Sequence, residues 1–152
     1  KLHLDAQTHN GEIKVAQVDG DLKLESHNGD IHANSTGGKL AVKTHNGAIT
    51  AQYDGGRVAL TTHNGPITAD LRRCSAVAGN VTTHNGEVKV LISEKTSALL
   101  NCRTHNGRVT ADVPNPSTSA KGRQLTANLG DGGGPLNVQT HNGSIRVRQA
   151  PD

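Results

Sequence analysis

The chain of 152 residues has no Phe, no Trp and no Met, and its one aromatic residue is Tyr53. Large side chains normally fill a thick core. Without them, the core is expected to be thin and built from Ile, Val, Leu and Ala. No apolar run approaches the length needed to cross a membrane as a helix, and no leader pattern is visible. Charge of one sign is also lacking: 16 basic and 13 acidic residues leave a formal charge of +3. With no basic cluster interleaved with aromatics, a nucleic-acid partner is excluded as an expectation. Only two cysteines occur, Cys74 and Cys102. They form no metal motif. A buried free thiol and a Cys74–Cys102 disulfide both remain open for Cys102.

What the chain has is repetition. The tetrad Thr/Ser-His-Asn-Gly recurs seven times. Its histidines are His9, His27, His45, His63, His84, His105 and His141. Its asparagines are Asn10, Asn28, Asn46, Asn64, Asn85, Asn106 and Asn142. Its glycines are Gly11, Gly29, Gly47, Gly65, Gly86, Gly107 and Gly143. The steps between histidines are 18, 18, 18, 21, 21 and 36 residues. The last step is twice 18, which predicts one further repeat that has lost its motif. Periods near 20 residues indicate a solenoid and take precedence over local propensity.

Aligned on His, the repeats show apolar columns. Four residues after His stand Ile13, Ile31, Ile49, Ile67, Val88, Val109 and Ile145, and three before stand Ala6, Leu24, Val42, Leu60, Val81, Cys102 and Val138. Further apolar columns lie five before and six after, and polar columns alternate with all four. Period-two alternation predicts strands with one buried face. Asn-Gly between such strands is also a hairpin signal, so a stack of antiparallel hairpins is the rival fold. Hairpins need no constant spacing and no like-on-like columns, whereas parallel stacking requires both. The expected fold is therefore all-β: a single-stranded parallel β-helix, right-handed by the crossover rule, of about eight coils of 18–21 residues. It would form one domain over 1–152, with an irregular insertion near 114–123. Ala127 and Leu129 are expected to rejoin the second-strand columns.

Strand parity assigns directions. If Val42 points inward, so does Thr44, while His45 points out and Asn46 points in. Gly47 is expected to absorb the corner with a positive φ. The outcome is an internal Thr column, an internal Asn ladder and an external His edge. Buried amides need partners, which neighbouring coils supply as in cross-β ladders. The His edge has two expected uses. It can fix register by stacking, or neighbouring imidazoles can capture Zn, Cu or Ni, with no acidic or Cys column beside them to complete a shell. Two charges at strand spacing repel by roughly 1 kcal/mol in water. Full protonation should therefore be opposed, with stability falling below about pH 6. No nucleophilic triad stands out. The scattered carboxylates do not form the pair that sugar cleavage wants, so no enzymatic activity and no required cofactor are expected. An ice-binding face is excluded because the regular Thr column points in.

The repeats "KLAVKTHNGAITAQYDGG" (39–56) and "GNVTTHNGEVKV" (79–90) resemble the bacterial "putative adhesin" β-strand-repeat family, whose coils carry a Thr/Ser-x-Asn-Gly-x-Ile core. The resemblance covers nearly the whole chain outside 114–134. It implies a parallel β-helix, an extracellular or cell-envelope location and a cell-surface or matrix ligand, and it brings no catalytic residues. The unvarying His is a departure from that pattern. Since "KLHLDAQTHNG" begins in pattern and "SIRVRQAPD" ends almost directly out of it, neither end shows a cap; the expectation is either that larger flanking parts belong to the protein, or that subunits self-associate head to tail through open solenoid ends into a surface fibre.

Overall fold

The structure, a computed structural model, describes residues 2–36, 39–53, 57–71, 78–92, 97–112, 117–119, 124–129 and 135–149. Fifteen strands and no helix make up these residues: β1 (Leu2–Asn10), β2 (Ile13–Asn28), β3 (Ile31–Thr36), β4 (Lys39–Asn46), β5 (Ile49–Tyr53), β6 (Arg57–Asn64), β7 (Ile67–Asp70), β8 (Ala78–Asn85), β9 (Val88–Ile92), β10 (Ala98–Asn106), β11 (Val109–Asp112), β12 (Ser117–Ser119), β13 (Gln124–Leu129), β14 (Pro135–Asn142) and β15 (Ile145–Gln149). No helix of the described residues is long and apolar enough to cross a membrane.

Each tetrad ends one strand, and the next strand starts three residues after its Asn. Strands before the tetrads pair with one another, and strands after them pair in a second set. The register is like-on-like: Leu22 faces Leu40, Leu40 faces Val58, Ile31 faces Ile49, and Ile49 faces Ile67. All of these pairings are parallel. No two strands flanking an Asn-Gly pair antiparallel with each other among the described residues, so the hairpin stack is excluded. The long strand β2 serves both sets, its start pairing with β3 and its end with β4.

The apolar columns supply the core. Leu24, Ile31, Leu60, Ile67, Val81, Val88, Leu100, Leu136 and Ile145 are all fully buried. The first winding differs. Leu4, Ala6, Ile13 and Val15 are only partly buried, because among the described residues they have a neighbouring strand on one side alone.

The last third departs from the expected order. Strand β14 pairs with β8 on one side and with β10 on the other, and β15 lies between β9 and β11. The winding at 135–149 is thus inserted between its predecessors at 78–92 and 97–112. The 36-residue step does not hide an eighth parallel repeat of the same kind. Instead β13 runs antiparallel to β10, from Arg103↔Gln124 to Ala98↔Leu129, and β12 runs antiparallel to β13. Ala127 faces Leu100 and Leu129 faces Ala98, so neither joins a second-strand column. This hairpin also covers one edge of the stack, contrary to the expectation of bare ends. Most of the insertion at 114–123 lies outside the described residues, as do the corner at 54–56 and Cys74.

Candidate functional site

The tetrads align into one continuous edge, and each of their residues has its own task. The hydroxyls of Thr44, Thr62, Thr83, Thr104 and Thr140 are buried, as is that of Ser26. Each donates to the carbonyl of the Gly in the preceding winding: Thr44 to Gly29 at 3.2 Å, Thr62 to Gly47 at 3.2 Å, Thr140 to Gly86 at 3.1 Å and Thr104 to Gly143 at 2.8 Å. A buried hydroxyl is stable only when bonded. The inward Thr column satisfies this without any water.

The Asn ladder forms, but on the outside. Nδ2 of Asn28, Asn46, Asn64 and Asn85 donates to Oδ1 of Asn10, Asn28, Asn46 and Asn64 in turn, at 2.8–2.9 Å. The ladder continues from Asn142 to Asn85 at 2.8 Å and from Asn106 to Asn142 at 2.7 Å. All seven side chains are exposed. Strict alternation fails here because the chain bends at the corner. The strand pattern ends with two outward residues, His then Asn, as in β4 and β6. The backbone bonds run the other way: Gly47 N–H donates to Asn64 O at 3.0 Å and Gly65 N–H to Asn85 O at 2.8 Å.

Glycine is needed at the corner for space. A Cβ on Gly47 would lie 2.1 Å from the Gly29 carbonyl oxygen, and one on Gly143 would lie 2.0 Å from that of Gly86. At Gly11, which has no winding before it among the described residues, the nearest atom would be the Thr8 hydroxyl at 3.5 Å. The expected positive φ is found at five corners, +150° to +159° at Gly11, Gly29, Gly65, Gly107 and Gly143, close to extended backbone.

The histidines are exposed and stacked. Ring centroids along His9, His27, His45, His63, His84, His141 and His105 are 4.7–5.0 Å apart, with interplanar angles of 0–4°. Beside them runs an open groove of about 1250 Å³, walled on its other side by the residues two before each His. That wall is mixed: Gln7, Glu25, Lys43, Thr61, Thr82, Gln139 and Arg103. Gln7 Nε2 donates to Glu25 at 3.1 Å, and Lys23 lies 3.9 Å from Glu25. On the far side of the stack, Glu12 lies 3.5 Å from His32 and 3.3 Å from Lys14.

Among the described residues no group of three or more His, Cys, Asp or Glu side chains is placed to hold a metal ion. Cys102 is a free, buried thiol whose pKa is pushed up to about 12 by desolvation. It occupies the same apolar column as Val81 and Val138 and plays their part.

No family model and no curated protein matches the chain. Among solved structures, a "putative cell adhesion protein" from Clostridium sporogenes aligns over 97% of this chain and 94% of its own, at 9% identity and a TM-score of 0.34. Neither a shared fold nor a shared role follows from overlap at that level.

Proposed function

We propose that the chain is a non-enzymatic, adhesin-like structural module, working outside the cell or at its envelope, whose recognition surface is the His-lined groove. It forms one domain over 1–152, wound as a right-handed, single-stranded parallel β-helix. The observation that carries this reading is the combination of a rigid, like-on-like stack with one uninterrupted edge that repeats the same side chain on all seven windings. Such a surface suits an extended ligand lying along the stack better than a small molecule held in a cavity. The repeats' resemblance to the "putative adhesin" pattern supports the location. Antibody labelling of intact source cells tests it: a chain found only after lysis refutes the surface role.

Self-association is proposed through the first winding, where β1 pairs on one side alone among the described residues and the core is partly open. At the other end β13 and β12 lie outside β10, so an endless head-to-tail fibre would require that hairpin to move. Negative-stain images are expected to show discrete particles or pairs. Long uniform fibres would refute this. Capture of Zn, Cu or Ni is the alternative use of the same edge, resting on the regular imidazole spacing.

A further inference from the structure

We infer that Asn106 is a modification site: in the folded chain it is the first of the seven Asn-Gly corners to deamidate spontaneously, because its winding is the last of the stack. In this reaction base takes the proton of the Gly N–H and the Gly nitrogen bonds to the Asn Cγ. The Cγ–Nδ2 bond breaks and ammonia leaves. Water then opens the cyclic imide on one side or the other, giving aspartate or isoaspartate. The corner must meet two requirements. Its Gly N–H must be within reach of base, and its Asn amide must be free to turn Cγ toward the Gly nitrogen.

The adjoining residues do not separate the seven sites, since every one reads His-Asn-Gly. Their places in the stack do. In six corners the N–H is engaged: Gly11, Gly29, Gly47, Gly65, Gly86 and Gly143 each donate to the Asn carbonyl of the next winding at 2.8–3.0 Å. An N–H held in this way gives up its proton only after the site opens. Among the described residues the N–H of Gly107 has no such acceptor, because β14 lies on one side of β10 and β13 covers the other only as far as Arg103. The amide ladder favours the same site. Asn46 is held at both ends of its amide, Nδ2 donating to Asn28 and Oδ1 accepting from Asn64, each at 2.8 Å. Asn106 donates to Asn142 at 2.7 Å, and no described residue donates to its Oδ1.

The first winding supplies an internal contrast. Gly11 and Gly107 are both exposed, whereas the five glycines between them in the stack are half-buried. Exposure alone would make Asn10 and Asn106 equally reactive. They differ in the nucleophile: Gly11 N–H is bonded to Asn28 O at 2.9 Å, and Gly107 N–H is unbonded among the described residues. Conversion also has a structural consequence. A carboxylate at position 106 cannot donate to Asn142 Oδ1. Isoaspartate adds a methylene to the backbone and displaces the carbonyl that accepts from Gly143 N–H at 2.9 Å. Gly143 then has the next free N–H, so Asn142 should convert second. Modification is expected to travel inward in the order of the stack, not in the order of the chain.

The test incubates the intact folded chain at pH 8 and follows each Asn by tryptic mapping with tandem mass spectrometry. Peptide 104–108 carries Asn106 as its only Asn, and peptide 44–57 carries Asn46 alone. Asn106 should convert about tenfold faster than Asn10, Asn46 or Asn64, the factor that corresponds to opening about 1.4 kcal/mol of hydrogen bonding at the other corners. Amide exchange followed by NMR should find Gly107 N–H the fastest of the seven corner glycines. In urea the seven conversion rates should converge. Conversion of Asn10, Asn46, Asn64 or Asn142 ahead of Asn106, or at the same rate, would overturn the inference. So would a Gly107 N–H as protected as that of Gly65. A urea-unfolded chain in which Asn106 still leads by the same factor would also overturn it, because local sequence would then explain the preference.

Discussion

The windings from residue 2 to 92 and those from 97 to 149 use the same corner and the same columns, yet they are assembled differently. In the first region each winding lies directly on its predecessor in chain order. In the second, the winding at 97–112 lies one place too far out, an antiparallel hairpin covers part of it, and the chain returns to fill the gap. The difference shows what a repeated corner specifies. It fixes how two windings sit on each other, through Thr-to-Gly, Asn-to-Asn and Gly-to-Asn bonds that are alike at every step. It does not fix which two windings meet.

The largest expected effect contrasts inner windings with the outermost one. Gly47→Ala and Gly143→Ala each drive a Cβ to about 2 Å from a backbone oxygen, which the stack relieves only by shifting. Each should cost about 2–4 kcal/mol of unfolding free energy, in the range of severe overpacking. Gly11→Ala meets only ordinary contact, and its midpoint in urea should move far less. A loss at Gly11, where φ is +159°, as large as or larger than that at Gly47 would contradict the demand for space.

Next come losses at the hairpin. Leu125 is buried opposite Cys102, and Leu125→Ala should cost about 2–3 kcal/mol. It should also speed modification of the Cys102 thiol, measured with a chromogenic disulfide. A thiol as slow as before would show that the hairpin does not cover that column.

Smaller effects belong to the polar ladders. Thr62→Val removes the donor to Gly47 O while keeping shape and should cost about 1 kcal/mol. Asn46→Ala breaks two ladder bonds and Asn10→Ala one. Being exposed, each bond contributes only about 0.5 kcal/mol, so the inner variant should lose about twice as much as the outer.

Last, and nil at neutral pH, is a pH dependence on the alkaline side. The folded Cys102 thiol titrates at about 12 against an ordinary 9.0. Between these values the unfolded chain releases a proton that the folded chain retains, so stability falls as pH rises through that window. Cys102→Val should flatten that part of a stability profile, and an unchanged slope would show that the thiol does not contribute.

Much of this was legible in the sequence. The apolar columns at Ile49, Val42 and Leu40 are the core, the Thr column is inward, and His45 stacks on His63 at the outer edge. Alternation places Asn46 inward because it assumes an unbent strand, whereas a bend at the corner turns two consecutive side chains outward. The recurrence of Gly47 in every tetrad shows that glycine is needed there, but not why. Crowding by the preceding winding's carbonyl is a relation between windings, and no single repeat shows it. The order of the last windings was hidden because identical corners make every place in the stack equivalent. Leu125, Ala127 and Leu129 alternate as any strand does, and alternation carries no strand direction.

The stacking order is open to one direct measurement. Thr82 faces Gln139 on an adjacent strand, while Arg103 lies one strand beyond, facing Gln139 from the other side. In a Cys74→Ala/Cys102→Val background, the Thr82→Cys/Gln139→Cys pair lies at about one strand spacing, within disulfide reach, and should oxidise readily. Thr82→Cys/Arg103→Cys lies about two spacings apart, beyond reach, and should stay reduced. The opposite result, a bond between positions 82 and 103 and none between 82 and 139, would put the windings back in chain order and contradict the structure described.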